Sequence, residues 1–370
     1  MTTVDAARRV GAVAEERALE TEALRRLPLD LVALLVDEQL LRVHVPTSVG
    51  GPELDIARAF AITEELAFHD GSTGWCQMIA ATTSLLSGSL PAHHAKAIYG
   101  DPASITGGFA APMGTAVVVD GGVSVTGHWQ WGSGTQHCTA IGGGTRFPEG
   151  PARIVFLDVD DVTLLDTWRV SGLKGTGSTD YTADGAFVPE GRWAEPGGTP
   201  IEAGPLYRFS FFGALALGVA GVAVGLARRS IAELVALAAV KTPQGSARPL
   251  ADRSPVQADV AIAEARLRSA RALVDEAIGR AWSVVEAGGV HDLDTRWEVR
   301  LAASSAVAAA AEVVDRMYTA AGGSAIFDDH ALQRVFRDVH VATQHAIVAP
   351  RTMELLGRIR LGLETDTRQL

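Results

Sequence analysis

Apolar residues recur at helical spacing in the first hundred positions of the chain. Leu27, Leu31, Leu34 and Leu35 would lie on one face of a helix, and positions 56–67 repeat the pattern. A proline and two adjacent glycines separate these runs, and such residues interrupt helices. The pattern predicts an N-terminal region of helices joined by short turns.

The period changes to that of β-strands at about residue 103. Positions 115–127 hold two β-branched runs joined by Asp120-Gly121-Gly122, and an Asp-Gly pair in that setting is typical of a β-hairpin. Positions 152–157 and 181–188 are further strand-like runs. The segment up to about residue 200 is therefore predicted to be a β domain.

Helical periodicity returns from residue 205 onward. Long apolar stripes cover 258–285 and 295–321, and the segment 243–255 reads as a loop. This order, with helices on both sides of a β segment, is compatible with one helical bundle to which both ends of the chain contribute. We therefore predict a mainly α protein with an inserted β domain. Its parts would be an N-terminal helical domain at 1–104, a middle β domain at 105–200 and a C-terminal four-helix bundle at 201–370.

Composition is that of an ordinary globular protein: the 370 residues are 47% hydrophobic and 20% charged. A formal net charge of −11 argues against nucleic acid as a partner. The two cysteines, Cys76 and Cys138, are too few to staple the chain and form no metal-binding pattern, which predicts a reducing, cytoplasmic compartment and no metal. Residues 1–20 carry mixed charge, which is not typical of a signal peptide.

One uncharged run, 209–227, approaches the length of a membrane-spanning helix. It contains four glycines and five alanines, and such small residues let a helix pack closely against neighbours on all sides. A buried core helix is the favoured interpretation and a membrane span is the alternative. No membrane is therefore expected as a partner.

Several segments together resemble the acyl-CoA dehydrogenase-fold flavoproteins. Residues 45–51 resemble an early Pro-x-x-x-Gly-Gly turn of that family, residues 64–75 a helix-to-helix passage, and residues 168–190 the close of its β domain. The most specific match is a C-terminal signature, formed here by Gly322, Gly323, Asp329, Arg334 and Asp338. That signature departs from the family at Thr319, where an acidic residue or Gln is usual, and at Ala325, where Gly is usual.

The resemblance implies a β-barrel or sandwich as the middle domain, a flavin between that domain and the C-terminal bundle, and a homotetramer. Lys241 and Gln257 bracket the loop where the family usually places an Arg and a Gln against the partner subunit's flavin. Paired glycines would let backbone N–H groups approach a phosphate closely. The candidate flavin-binding residues are Trp131, Ser133, Thr176, Ser178, Lys241, Gln257, Thr319, Gly322 and Gly323.

Three features favour the flavin-dependent hydroxylase branch over the true dehydrogenases. The common dehydrogenase pattern places its carboxylate base eight residues after the Arg-Asp pair, and Ala346 occupies that place here. Residues 109–116 lack the Glu, Ser and Asp of the dehydrogenases' T-E-x-x-x-G-S-D stretch. Residues 127–134 have the Trp-x-aromatic-x-Ser-Gly form that is closer to the hydroxylases.

That branch takes reduced FMN or FAD from a separate flavin reductase and reacts it with O₂. The resulting C4a-hydroperoxyflavin hydroxylates an aromatic or polyketide-like small molecule, and it needs a dry pocket with a hydrogen bond near flavin N5. Ser133 resembles the residue near N5, and His345 resembles the branch's C-terminal histidine, which could deprotonate a phenol or stabilise a peroxide. His340 is a further candidate. The two histidines are five residues apart and would not share a helical face cleanly, so one of them is expected to be a packing or surface residue.

Two alternatives stay open. One is an acyl-CoA dehydrogenase whose base lies elsewhere, for which Glu64 and Glu65 are the nearest candidates. The other is a non-catalytic member that only binds a ligand or partner. The sequence does not choose between FMN and FAD, and it does not name the substrate.

Overall fold

The structure is a computed structural model that describes residues 3–370. Residues 1 and 2 lie outside the described residues. They begin the predicted N-terminal domain and the segment 1–20, which is not expected to be a signal peptide. The described part contains eleven α-helices. In chain order they are α1 Val4–Glu16, α2 Ala18–Leu24, α3 Leu29–Asp37, α4 Ile56–His69, α5 Gly71–Leu85, α6 Ala92–Tyr99, α7 Phe211–Val240, α8 Ser254–Glu286, α9 Leu293–Ala321, α10 Ala331–Ala342 and α11 Pro350–Arg360.

The strands lie between the sixth and seventh helices. They are β1 Thr106–Val119, β2 Gly122–Gly132, β3 Ala140–Arg146, β4 Arg153–Asp158, β5 Thr163–Leu165, β6 Thr179–Pro189 and β7 Trp193–Ala194. They form one seven-stranded mixed sheet in the order β5-β6-β2-β1-β3-β4-β7, in which β1 and β3 are the parallel pair. The predicted arrangement of helical ends around a β segment is confirmed. Hydrogen bonding orders the strands in one sheet with β5 and β7 at its edges.

The predicted hairpin is formed by β1 and β2, and its register pairs Val119 with Gly122 around the Asp120-Gly121 turn. Gly121 has a φ of +74°, a left-handed conformation that glycine adopts without strain. On the inner face of the sheet Trp129 stacks on Tyr181, with ring centroids 5.1 Å apart. The local alternation of residue types was therefore sufficient to locate this hairpin.

Helix α7 is the central helix of the molecule. Ser210 caps its N-terminus by accepting a hydrogen bond from the N–H of Gly213. By length and composition α7 could cross a membrane, but 83% of its most apolar window is buried against the rest of the protein. That burial favours the interpretation as a core helix, which contacts α4, α5, α8, α9 and α10.

Glycines explain how closely α4 and α7 approach each other. A Cβ added to Gly225 would lie 2.4 Å from the carbonyl oxygen of Glu64, well inside van der Waals contact. A Cβ on Gly221 would lie 3.2 Å from the side chain of Thr63. An N-terminal helix is thus packed directly on the C-terminal bundle, as the sequence order predicted.

Candidate active site at the junction of sheet and bundle

A chain of side-chain hydroxyl groups lies where the sheet meets α5. Ser133, just after β2, is buried and its Oγ lies 2.7 Å from the Oγ of Ser178. The Ser178 Oγ lies 2.7 Å from the Oγ1 of Thr176, which donates to the carbonyl oxygen of Leu173 at 2.9 Å. Trp75 on α5 donates its indole N–H to the Ser133 Oγ at 3.0 Å. Three of the predicted flavin-binding residues are thereby brought into direct contact.

The direction of every hydrogen bond in this chain is determined. A carbonyl oxygen only accepts, so the Thr176 hydroxyl proton is committed to Leu173. Ser178 must then donate to Thr176, and Ser133 must donate to Ser178. The Ser133 oxygen already accepts from Trp75, and a hydroxyl oxygen has two lone pairs. Ser133 therefore retains one lone pair and presents an acceptor, not a donor, to a ligand.

His345 lies next to the same tryptophan. Its ring centroid is 5.6 Å from that of Trp75 in an edge arrangement. The backbone N–H of Ile347 donates to the His345 Nδ1 at 3.3 Å, so the proton of the neutral ring is on Nε2. Burial, together with the nearby positive charge of Arg300, lowers the pKa of His345 to about 4. At neutral pH the ring is therefore uncharged and carries an N–H donor.

Helix α10 ends before this histidine. The last helical residue is Ala342, and His345 lies in the turn that follows. The buried Arg300 on α9 holds this turn by donating to the carbonyl oxygen of Ile347 at 2.6 Å and to the carbonyl oxygen of Gln369. The sequence argument treated His340 and His345 as positions on one continuous helix. The structure instead places His345 on a turn that a guanidinium anchors.

Trp131 stands out on the outer side of this junction. Its side chain is 56% exposed, and its φ of +59° is a left-handed conformation that bulky residues rarely adopt. The register between β2 and β6 shifts between Trp129 and Gly132, so Trp131 lies in the irregular part of the strand. Within residues 3–370, the only aromatic ring in contact with Trp131 is that of Phe109, with its centroid 5.8 Å away. A strained, exposed aromatic ring beside a polar site fits a flat ligand.

The remaining predicted flavin-binding residues gather elsewhere, at the end of α7 and α9. The ammonium group of Lys241 donates to the carbonyl oxygen of Ala321 at 2.6 Å, immediately before Gly322 and Gly323. Gln257 is exposed on the first turn of α8 and bonds to the carbonyl oxygen of Ala251 at 2.9 Å. Thr319 is also exposed, in the last turn of α9. These residues and the hydroxyl chain are thus two separate clusters within one chain.

The paired glycines follow the end of α9 and begin only one 3₁₀ turn, Gly322–Ser324. Gly322 has φ 58° and ψ −149°, a backbone conformation suited to glycine. The C-terminal end of a helix carries partial negative charge, so the helix dipole does not attract a phosphate here. The positive charge at this place comes from Lys241. A phosphate-binding function for the two glycines therefore rests on that ammonium group.

Comparison with known proteins identifies the family. Residues 3–95 match the model of the acyl-CoA dehydrogenase N-terminal domain, and residues 217–350 match that of the C-terminal domain. The chain is 31% identical over 348 residues to indole-3-acetate monooxygenase of Pseudomonas putida, covering 93% of this chain and 89% of that protein. It is 28% identical over 369 residues to the flavin-dependent monooxygenase oxygenase subunit HsaA of Mycobacterium tuberculosis, covering 94% and 92% of the two chains.

The chain belongs to the acyl-CoA dehydrogenase-fold family, in its flavin-dependent monooxygenase branch.

Solved structures agree with this assignment. The crystal structure of HsaA from M. tuberculosis superposes with a TM-score of 0.89 at 26% identity, covering 100% of both chains. XiaF from a Streptomyces species, solved with FADH₂ and glycerol, superposes with a TM-score of 0.90 over 99% of this chain and 96% of that chain. At 24% identity the second likeness shows the fold. Membership of the branch makes the protein a flavin-dependent oxidoreductase.

The structure places no free carboxylate at the positions considered for the base of a dehydrogenase. Ala346 is exposed in the turn after α10. Glu64, an alternative base, accepts from Arg228 at 3.0 Å and from Arg271 at 2.8 Å. Glu65 accepts from Arg8 at 2.7 Å. Both carboxylates are committed to ion pairs, so neither is free to remove a proton from a substrate.

His340 is placed apart from the hydroxyl chain. It lies in the last turn of α10, partly exposed, and its Nε2 is 2.9 Å from a carboxylate oxygen of Asp315 on α9. Its ring also packs against Phe336, with centroids 4.5 Å apart. Of the two histidines, only His345 lies beside Trp75. His340 is therefore the histidine of the pair that fits the description of a packing or surface residue.

Asp338 fixes the turn that carries Thr176 and Ser178, a role that the sequence did not reveal. Its Oδ1 accepts the backbone N–H of Leu173 at 2.6 Å, and Leu173 has a left-handed φ of +49°. Gly172 fits tightly against α10, because a Cβ there would lie 2.3 Å from the carbonyl oxygen of Arg337. Arg337 in turn donates to the carbonyl oxygen of Ser171 at 2.5 Å. The signature Arg-Asp pair thus clamps the bundle to the β domain.

The buried carboxyl of Asp338 should make stability depend on pH. Burial, with the nearby Asp70 and Glu22 and despite Arg334, raises its pKa from 3.8 to about 7. The folded chain therefore keeps a proton that the unfolded chain releases. This stabilisation is complete below about pH 4 and is lost as the pH rises through 7.

Asp338→Asn keeps an oxygen acceptor for Leu173 but cannot ionise. We expect the variant to gain about 2 kcal/mol in free energy of unfolding relative to the native chain between pH 5.5 and 7.5. Urea denaturation of both proteins at the two pH values measures this. An equal difference between the proteins at both pH values would contradict a neutral carboxyl.

Proposed function

We propose that this flavoprotein is the oxygenase component of a two-component system. It would take reduced FMN or FAD from a separate flavin reductase and use O₂ to hydroxylate a small aromatic or polyketide-like molecule. The observation that carries this proposal is that Trp75 contacts both Ser133, which has a free acceptor, and His345, which has a neutral N–H donor. Relatives that are named oxygenase subunits or components support the reductase as partner.

The residues fit a flavin. Reduced flavin, when bound, supplies the two electrons that activate O₂. A reduced isoalloxazine carries an N–H group that would match the free lone pair of Ser133. The exposed ring of Trp131 offers a surface for a flat ring system, and Lys241 offers positive charge for a phosphate. The donor set does not distinguish FMN from FAD.

The protein side of the chemistry is positioning and proton control. Ser133 would hold an N–H in one place, because its own proton is committed to Ser178. His345 would donate its Nε2–H in a hydrogen bond to an oxygen atom. Its Nδ1 lone pair is taken by the N–H of Ile347, so the ring in this tautomer positions an oxygen and does not take a proton from a phenol. Trp75, 6% exposed, covers this region from the side of α5 and keeps water from it.

Assembly and location complete the proposal. We infer a homotetramer in the cytoplasm, in which the Lys241 cluster of one subunit faces the flavin of another. Exposed apolar side chains lie on the same helices: Val240, next to Lys241, is 81% exposed, and Val235 on α7 and Ile262 on α8 are also exposed. Apolar surface of this kind on long helices is typical of subunit contacts. Sedimentation velocity measures the assembly state directly.

The direct test is the fate of reduced flavin. Anaerobic protein with reduced FMN or FAD is mixed with oxygenated buffer, and flavin absorbance is followed by stopped flow. We expect reoxidation in the presence of the protein to be slower than in free solution and to proceed in more than one phase, because the bound flavin is shielded from water. Reoxidation at the free-solution rate with both flavins would contradict the proposal.

Flavin titration and an acyl-CoA panel separate the two alternatives. No affinity for oxidised or reduced flavin would favour a non-catalytic binding protein. Reduction of bound oxidised flavin by acyl-CoA thioesters would favour a dehydrogenase. Hydrogen peroxide release, measured in parallel, reports how much O₂ is consumed without oxygenation.

A further inference from the structure

A small cavity lies between α4, α5, α7 and the segment around His44. Its volume is about 20 Å³, and most of its lining is apolar, with Ile56 and Phe60 on one side and Leu217 on the other. His44, Thr63 and Thr82 are the polar side chains that line it. A space of this size holds a group about as large as one hydroxyl.

His44 presents an unpaired acceptor to this cavity. It is 3% exposed, and its Nδ1 lies 2.8 Å from the carbonyl oxygen of Leu54, so the ring proton is on Nδ1. The lone pair of Nε2 has no hydrogen-bond partner in residues 3–370. Burial lowers the pKa of His44 to about 4, which keeps the ring neutral at physiological pH. The Nε2 lone pair is therefore available to a ligand group that donates a hydrogen bond.

The two threonines add acceptors and no free donor. The Thr82 hydroxyl donates to the carbonyl oxygen of Met78 at 2.8 Å. The Thr63 hydroxyl donates to the Oε1 of Gln77 at 2.6 Å and shares its proton with the carbonyl oxygen of Ala59 at 3.0 Å. Each hydroxyl proton is therefore committed, and only oxygen lone pairs remain. The matching ligand group is a hydrogen-bond donor.

The group must also be uncharged. The remaining lining is apolar and contains no carboxylate, so an ammonium group would lose its hydration without gaining a counter-charge. A neutral hydroxyl, or the N–H of a heteroaromatic ring, meets both conditions. The cavity therefore selects for one chemical class of ligand group.

Helix α5 connects this cavity with the candidate site. Trp75, which contacts Ser133 and His345, and Thr82, which lines the cavity, are seven residues apart on nearly the same face. At 1.5 Å per residue they are about 10 Å apart along the helix, roughly the length of a bicyclic aromatic molecule with a short substituent. Met78, one turn after Trp75, also lines the cavity.

We propose that this cavity binds a neutral hydroxyl or N–H group at the far end of the substrate, with His44 Nε2 as the acceptor. His44 would thus determine specificity and take no part in oxygen chemistry. The proposal rests on the proposed function only in treating the ligand as the substrate of the oxygenase. It adds the class of substrate: an aromatic molecule that carries an uncharged hydrogen-bond donor at the end remote from the reacting carbon.

Indole and benzothiophene test the proposal, because they have nearly the same shape and only indole carries an N–H. Calorimetric titration under anaerobic conditions, with reduced FMN and reduced FAD in parallel, gives their dissociation constants. We expect the native protein to bind indole about 10-fold more tightly than benzothiophene. His44→Phe should bring that ratio to about 1. His94→Phe should leave it unchanged, since buried His94 bonds to the carbonyl oxygen of Glu190 and lies outside the cavity.

Thr82→Val is a second cavity variant, which keeps the proposal testable if His44→Phe does not fold. This substitution removes one acceptor from the cavity with little change of shape, and we expect the indole preference to fall by about 3-fold. Equal binding of the two probes by the native protein would overturn the proposal. A preference for indole that is unchanged in both His44→Phe and Thr82→Val would also overturn it, because the cavity would then not contact the indole N–H. The rate of flavin reoxidation, measured on the same preparations, reports separately on the proposed function.

Discussion

Ser133→Ala is expected to reduce product formation by about 10-fold to 100-fold while reduced flavin continues to bind. The reason is the committed direction of the hydroxyl chain: Ser133 donates to Ser178 and accepts from Trp75, and it leaves one lone pair for a ligand N–H. Alanine removes that acceptor and leaves the indole N–H of Trp75 unpaired in a buried place. More of the O₂ consumed should therefore appear as hydrogen peroxide.

Two hydroxyl deletions serve as controls for this experiment. Ser178→Ala leaves Ser133 in place but removes the acceptor of its proton, and a smaller loss is expected. Ser230→Ala deletes an equally buried hydroxyl on α7 that bonds to the carbonyl oxygen of Ala227, and no change is expected. The measurements are the peroxide released per reduced flavin and the reoxidation rate. If Ser133→Ala and Ser230→Ala gave the same peroxide release and the same reoxidation rate, Ser133 would have no function beyond packing.

Glu64→Ala is expected to lower the free energy of unfolding by about 2–3 kcal/mol. The buried carboxylate of Glu64 on α4 accepts from Arg228 on α7 and from Arg271 on α8. Its loss leaves Arg228 paired only with Glu65 and Arg271 paired only with Asp275. The expected loss lies below the roughly 3–5 kcal/mol for a fully buried pair, because both arginines keep some access to water and a second carboxylate. Urea denaturation measures it.

Glu264→Ala is the matched control, since Glu264 pairs with Arg268 on the exposed surface of α8. An exposed pair of this spacing contributes about 0.3–0.5 kcal/mol. Equal losses for the two variants would show that the Glu64 network is fully solvated. Glu64→Gln gives a functional comparison: if Glu64 were the base of a dehydrogenase, flavin reduction by acyl-CoA would disappear in that variant. We expect flavin reoxidation to be unaffected.

Local sequence pattern was sufficient for several elements of the fold. The stripe over 295–321 became α9, and the β-branched runs around Asp120-Gly121 became the β1–β2 hairpin. Both signals are local, because the repeat of apolar residues reflects which side of one element faces the core. The long apolar run before Arg228 was open to two interpretations, and only burial of α7 by its neighbours favoured the core helix.

The candidate site was predicted in part. Ser133, Thr176 and Ser178 were chosen individually, and the structure joins them in one chain. His345 was chosen by resemblance, but its neutral state comes from burial and Arg300, and its tautomer comes from Ile347. Nothing in the pattern around His44 marked it, since a histidine before a proline turn has no signature of its own.

By itself the sequence determined the identity and order of the elements, the flavoprotein family and the absence of the usual dehydrogenase base at Ala346, because each of these is encoded by neighbouring residues or their spacing. The tertiary structure decided which way the Ser133 hydroxyl points, which histidine meets Trp75 and which carboxylates are free. These properties depend on partners up to a few hundred positions away. A hydrogen bond or a pKa is set by the groups that folding brings within a few ångströms, and no local pattern records them.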